Sequence, residues 1–220
     1  MSTSLKPVVV YGCGPKPPNP WKVLMLLEEL GVPYEQRTLA FPELKQPPFL
    51  QINPNGRVPA IEDPNTGITL WESGAILEYL IETYDKDHRV SFPAGTPESF
   101  HAKQWLHYQM SGQGPYYGQA VWFLRHHHEQ LPSAQERYIK EIKRVTGVLD
   151  GWLEGRQYLV GDKFTFADLA FLPWQNLVAE YFPTLFPRGE FRNVDAWVDR
   201  MKARPAIAKV LETRASMPSS

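Results

Sequence analysis

The chain has 220 residues, 43% of them hydrophobic and 13% aromatic, enough for a buried core in one long or two small domains. Its formal net charge is −1, so no bulk field draws nucleic acid or an anionic membrane. The one cysteine, Cys13, excludes an internal disulfide framework and a cysteine-rich zinc site.

The opening segment, "MSTSLKPVVVYG", lacks the apolar core of a signal peptide, and no window approaches the roughly 18 unbroken apolar residues of a membrane helix. A soluble, cytoplasmic protein is expected. "PVVVYG" (residues 7–12) is a short β-branched run bounded by turn residues and reads as a buried strand. A proline-rich loop, "GPKPPNP", leads into a helix with Asn19 as N-cap, Pro20 at its first position and Val23, Leu24, Leu27 and Leu30 on one face; Gly31 stops it. "VPYEQRTLA" alternates as a second strand, and the stretch from there through "NPNG" is irregular. "VPAIED" and "ITLWE", joined by "PNTG", form a hairpin, after which Ser73 caps the amphipathic helix "GAILEYLIETY". Residues 85–98 are polar, carry Pro and Gly, and read as a linker. Helices follow over 99–128, 133–154, 165–181 and 194–204, with a continuation after Pro205. The architecture is an α/β domain (residues 1–84), a linker (85–98) and an all-α domain (99–220).

Several short stretches carry chemistry. Pro59, in "NPNGRVPAIED", cannot donate to a sheet ladder and marks an edge, a strand start or a turn. Read alone its peptide bond is trans, because cis X-Pro bonds are about 5–6% of the total. In "WES", a helix N-terminus offers N–H groups and partial positive charge to a carboxylate, Ser73 adds a hydroxyl, and Glu72 can accept from an ammonium. Equally, Ser73 is a helix cap and Glu72 a surface charge. "TFAD" has the form of a capping box, Thr165 with Asp168 in place of the usual Glu. Gly112, Gly114 and Pro115 interrupt the first long helix, so a kink or break is expected there. Tyr116, Tyr117, Trp122 and Phe123 surround that break, as core or as the lining of an apolar pocket. His126, His127 and His128 do not converge on a metal, because consecutive helical residues point about 100° apart.

"NPNGRVPAI", followed by "LWESGAILEYL" and "YLVGDKFTFADLAFLPW", resembles the glutathione transferase family, from about residue 7 to residue 211. "PNPWKV", "SGQGPYYGQAVWF" and "ERYIKEIKRVTGVLD" resemble its fungal group related to the nitrogen-catabolite regulator. The resemblance implies a thioredoxin-like first domain with Pro59 cis, glutathione as cofactor, and a homodimer. It implies that Glu72 and Ser73 bind the γ-glutamyl end and that Arg57, Val58 and Pro59 meet the cysteinyl part. Lys45 and Gln46 become candidates for the glycyl end, although Leu44 before them stands where the regulator has a histidine. Other members activate the thiol with Tyr, Ser or Cys in the first loop. Residues 14–20 contain no Ser, Thr or Tyr, and the resemblance to the fungal members implies that Asn19 binds glutathione and activates its thiol, aided by the positive end of its helix. Cys13 is the rival nucleophile; six residues before Asn19 and without a second Cys, it reads as structural. Trp21, Tyr116, Tyr117, Trp122, Phe123 and His126 are expected to line the pocket of a small apolar electrophile between the domains.

Three activities fit that resemblance. One is conjugation of glutathione to an electrophile. Another is glutathione-dependent cis/trans isomerisation of a conjugated alkene in fungal secondary metabolism. The third is a non-enzymatic glutathione-binding regulator, against which the sequence lacks the Asn-rich extension of the family's regulator.

Overall fold

In the computed structural model, residues 5–218 are described; the outermost residues of the expected domain spans lie outside them. Two compact units are present among them, one formed by residues 5–92 together with 202–218, the other by 93–201.

The first unit is built on a four-stranded mixed sheet of order β2-β1-β3-β4. Strand β1 (Val8–Gly12) pairs in parallel with β2 (Tyr34–Thr38) and antiparallel with β3 (Ala60–Asp63), which forms a hairpin with β4 (Ile68–Trp71). Val8 and Val10 are fully buried, as expected of a β-branched central strand. Helix α1 (Pro18–Leu30) is buried along most of its length and stops at Gly31, whose φ of 70° suits glycine. Pro17, not Asn19, is its N-cap, so Asn19 lies inside the first turn. The stretch expected to be irregular holds a 3₁₀ turn (Phe41–Lys45) and a six-residue helix α2 (Pro47–Ile52). Both carry proline in their first turn, which pattern reading takes for loop. Helix α3 (Ser73–Tyr84) closes the α/β layer.

The expected linker is not a loose tether. The buried Asp85 carboxylate accepts the N–H groups of Arg89 (2.8 Å) and Val90 (3.0 Å) and the Ser91 hydroxyl (2.7 Å), folding residues 85–91 on themselves, and the Arg89 guanidinium donates to the Glu29 carbonyl of α1 at 2.7 Å.

The second unit is helical: α4 (Pro97–Tyr108), α5 (Gly114–Val121), α6 (Pro132–Trp152), α7 (Phe166–Tyr181) and α8 (Arg192–Lys202). At the expected kink or break the backbone makes a π-helical turn over Gln109–Gln113, and a second follows α5 at Trp122–His126. The wider turn takes in Gly112, and Gly114 and Pro115 open α5, where a proline costs no ladder bond. Helix α7 is buried almost all round. At its start Asp168, fully buried, accepts four donors: the Leu159 (2.8 Å) and Thr165 (2.9 Å) N–H groups, the Thr165 hydroxyl (2.9 Å) and the Trp197 indole (3.0 Å). The capping box read from "TFAD" therefore also ties α8 to α7.

The last helix, α9 (Pro205–Ser216), departs from the all-α assignment of residues 99–220: it belongs to the first unit and packs on α1. Arg204 grips the buried Glu29 with two bonds of 2.6 and 2.8 Å, and Lys209 reaches Glu28 at 2.8 Å.

Candidate functional site

The sheet register brings four segments to one end of the first unit. Gly12 ends β1 opposite Thr38, which ends the parallel β2, so the loops after both strands leave on the same side. Tyr11 lies opposite Ala60, and Ala60 opposite Trp71, so residues 57–59 enter the sheet and residues 72–73 leave it at that same end. The proline-rich loop with Asn19, the segment with Lys45 and Gln46, the turn at Arg57–Pro59 and the pair Glu72–Ser73 thus converge through backbone topology alone.

The proline-rich loop is tightly held. The Pro15 carbonyl accepts the Trp21 indole N–H at 3.2 Å and the Arg214 guanidinium at 2.9 Å. Trp21, expected in a pocket wall, is only 1% exposed and clamps this loop instead. An α-helix leaves the first four N–H groups outside its ladder. In α1 those positions are Pro17, Pro18, Asn19 and Pro20, and three of them have no N–H. The helix end therefore supplies little of the positive charge expected from it; Asn19, half-buried, brings the one backbone N–H together with its side-chain amide. Cys13 is 4% exposed in an apolar cluster with Tyr11, Leu44, Phe49 and Ala60, and burial pushes its thiol up to about 11. A thiol held protonated in this way is a packing group, not a nucleophile.

The Val58–Pro59 bond is cis and opens β3. Asn53, buried beside it, was not singled out in the sequence beyond its turn motif; its amide donates to the Arg57 carbonyl at 2.6 Å and its oxygen accepts the Asn55 N–H at 2.9 Å, fixing the approach to Val58. Gly56, at φ 60°, leaves room for the Leu44 carbonyl, which would lie 2.7 Å from a Cβ there. That close approach seats Lys45 on this turn, with its Nζ 3.0 Å from the Asn55 carbonyl. Gln46 is exposed and starts α2.

Glu72, not Ser73, is the N-cap of α3, and its backbone sits at φ 72°, a left-handed region uncommon for a side chain of this kind. The first ladder bond is from the Ile76 N–H to the Glu72 carbonyl, so the N–H groups of Ser73, Gly74 and Ala75 precede it. Glu72 is exposed while Ser73 is 1% exposed. The Ser73 hydroxyl accepts from Lys22, a fully buried lysine of α1, at 3.3 Å. Burial, opposed by the charge of Glu72, pulls the Lys22 ammonium down to about 7. Lys22 is the residue that sequence reasoning passed over; a lone charge inside "WKVLMLL" was its signal. It stands three residues after Asn19, hence on the same helix face, which brings the Asn19 turn within about one helical turn of Ser73.

Apart from Trp21, the residues expected around an apolar electrophile lie in the second unit, and they do not form one lining. Tyr117 is fully buried, its hydroxyl 2.7 Å from Thr146 Oγ1 and accepting from Gln175 at 3.2 Å, within a core of Ala120, Ile142, Val145 and Trp174. Its neighbour Tyr116 is partly buried under the Arg144 guanidinium, 5.8 Å from the ring centre. Trp122, 49% exposed, and His126 sit together on the surface, and Phe123 stacks on Tyr138 with ring centres 5.5 Å apart. Tyr117 is thus a core residue, and the surface aromatics cluster at the second π-turn.

Residues 7–82 match the model of the glutathione S-transferase N-terminal domain, and residues 115–205 that of the C-terminal domain. The chain is 49% identical to the glutathione S-transferase-like protein gedE of Aspergillus terreus, over 99% of this chain and 100% of the relative. It is 44% identical to glutathione S-transferase 1 of Schizosaccharomyces pombe, over 90% and 92% respectively. A crystal structure of the glutathione transferase URE2P6 from Phanerochaete chrysosporium, in complex with oxidized glutathione, superposes with a TM-score of 0.90 at 47% identity, over 98% of this chain and 99% of that one.

Proposed function

Because the chain belongs to the glutathione S-transferase family, we propose that it binds glutathione at the converging end of its first unit and activates the thiol for attack on a small apolar electrophile. The observation that carries this reading is the start of α3: a buried Ser73 hydroxyl with first-turn N–H groups, beside the exposed carboxylate of Glu72. That pairing suits the carboxylate and ammonium of an α-amino acid, which glutathione presents at its γ-glutamyl end. The Val58 backbone pairs with the cysteinyl part, the seated Lys45 with Gln46 receives the glycyl carboxylate, and the Asn19 amide donates to the thiolate. Sulfur then bonds to the electrophilic carbon while a leaving group departs with its electron pair, or, in an addition, the adjacent carbon takes the proton.

Incubation with glutathione and 1-chloro-2,4-dinitrobenzene, followed by mass spectrometry, tests this. A thioether product carrying glutathione and lacking chloride is expected, with Asn19→Ala slower at neutral pH. A conjugated alkene panel separates the isomerase alternative: its product keeps the substrate mass. Glutathione binding with no turnover of any substrate would leave a binding protein and refute the enzymatic reading.

A further inference from the structure

Lys22 is the group at this site that the proposed chemistry leaves unused. Its side chain is fully buried on α1, yet its nitrogen ends 3.3 Å from the Ser73 hydroxyl, beneath the first turn of α3. Around α1, Tyr11 lies on strand β1 and Cys13 just after it, Glu72 caps α3, and the α9 side carries Arg204, Lys209 (paired with Glu28) and Arg214. Tyr11 is engaged with Glu62 and Arg37, Arg204 with Glu29, and Arg214 with the Pro15 carbonyl. Of these groups it is Glu72 whose charge acts on Lys22, against the larger effect of burial. A lysine placed in this way loses its proton readily, and a carboxylate brought nearby restores it.

We propose that Lys22 is the buried counter-charge of the amino-acid carboxylate subsite and takes up a proton as that carboxylate binds, so that pH sets the affinity. The inference rests on the glutathione reading above and adds a coupling that Ser73 and the helix end alone would not produce. By linkage, whatever the carboxylate does to the protonation of Lys22, protonation of Lys22 does to the affinity. Lys22 acts here through Ser73 and by charge; it is a positioning residue, and no bond to it is made or broken. The amine gains one proton from solvent, and the buffer supplies it.

Calorimetry on the full chain reads this directly. The probe is S-methylglutathione, whose blocked sulfur does not titrate. Binding is measured at pH 7.5 in two buffers of different ionisation enthalpy. A lysine titrating near 7 is about a quarter charged at that pH, so complete charging takes up about three-quarters of a proton per site. Wild-type protein is expected to show that uptake and to bind more weakly as pH rises from 7 to 8.5. Lys22→Met is expected to bind at least tenfold more weakly at pH 7, with proton uptake and the pH dependence reduced to the small part that the ligand's own ammonium contributes. A wild-type enthalpy independent of buffer would overturn the inference, and it requires no variant to fold. Uptake that persists undiminished in a folded Lys22→Met protein would overturn it as well. No binding of S-methylglutathione by wild-type protein would instead overturn the glutathione reading, and the inference with it.

Discussion

Replacing Asn19 with alanine separates chemistry from folding at the proline-rich loop. Asn19 lies in the first turn of α1 and Pro17 is the cap, so the substitution removes no N-cap side chain. Alanine is the better helix former by up to about 0.7 kcal/mol, and melting should change little. The catalytic effect is larger. An unassisted thiol near 8.5 is only about 3% thiolate at pH 7. A hydrogen bond to a charged acceptor contributes about 1.5–3 kcal/mol, equivalent to about 1–2 pKa units. Lowering the thiol by two units makes about three-quarters of it thiolate at pH 7, so loss of the donor cuts the reactive form roughly 25-fold. At pH 9 the same loss is below about twofold. The assay is a pH–rate profile of conjugation beside a thermal melt and a titration with S-methylglutathione. The acid limb should move up by 1–2 units while the affinity of the blocked ligand stays within about threefold. A variant with an unshifted profile and a lowered melting temperature would refute the reasoning. Cys13→Ala is the control: with its thiol buried and held protonated, turnover per folded molecule should stay near wild type.

Ser73→Ala should weaken glutathione binding by about 1–3 kcal/mol in calorimetry, the loss of one hydrogen bond to a charged group, and Glu72→Ala at least as much. Glu72→Gly should lose binding in the same way yet unfold at higher denaturant, because glycine relieves about 1 kcal/mol or more of left-handed strain at φ 72°. Lys22 titrates near 7 when folded and near 10.4 when unfolded, so the unfolded chain binds more protons between those values and ligand-free stability should rise with pH from about 7 to 10; Lys22→Met should flatten that rise. Asp168→Asn puts an amide donor among four donors and should cost at least about 3 kcal/mol in chemical denaturation, with Asp168→Ala no better. As a homodimer the protein should scatter light with twice its 25.2 kDa chain mass; a 25 kDa species at micromolar concentration would exclude that assembly.

The sequence made the site's backbone legible and its side chains less so. Strand boundaries, the hairpin and "WES" follow from period and turn residues, and the register then carries Val58, Glu72 and the proline-rich loop to one end. The start of α1 shifted by two residues because Pro18 and Pro20 are both suited to a first turn, and only the backbone distinguishes them. Tyr116 and Tyr117 read alike in sequence, yet neighbours on a helix point about 100° apart, so one meets Arg144 and the other the core. Arg204 and Glu29 are separated by 175 residues, and nothing local in "ARPAIAKVLE" reveals that this helix returns to the first unit. Lys22 was legible in principle. A charge at a core position of an apolar helix is costly unless something nearby needs it.

The proline-rich loop can now be accounted for by what its prolines remove. An ordinary helix end offers a fan of N–H groups and would place an anion anywhere across it. Here Pro17, Pro18 and Pro20 delete three of the four donors, and the remaining residue is the one with an amide side chain. The loop ahead is fixed by two donors on the Pro15 carbonyl, one of them from the far end of the chain. Rigid backbone with a single donor position favours one site for the sulfur over several. The same loop with Pro18 and Pro20 replaced by alanine would regain N–H groups and positive charge at the helix end. Thiolate should then form at least as readily in that variant, but in a less defined place, so the thiol pKa would stay low while turnover falls. If turnover rose with the added donors, the prolines would serve folding alone, and the directional role of Asn19 would have to be abandoned.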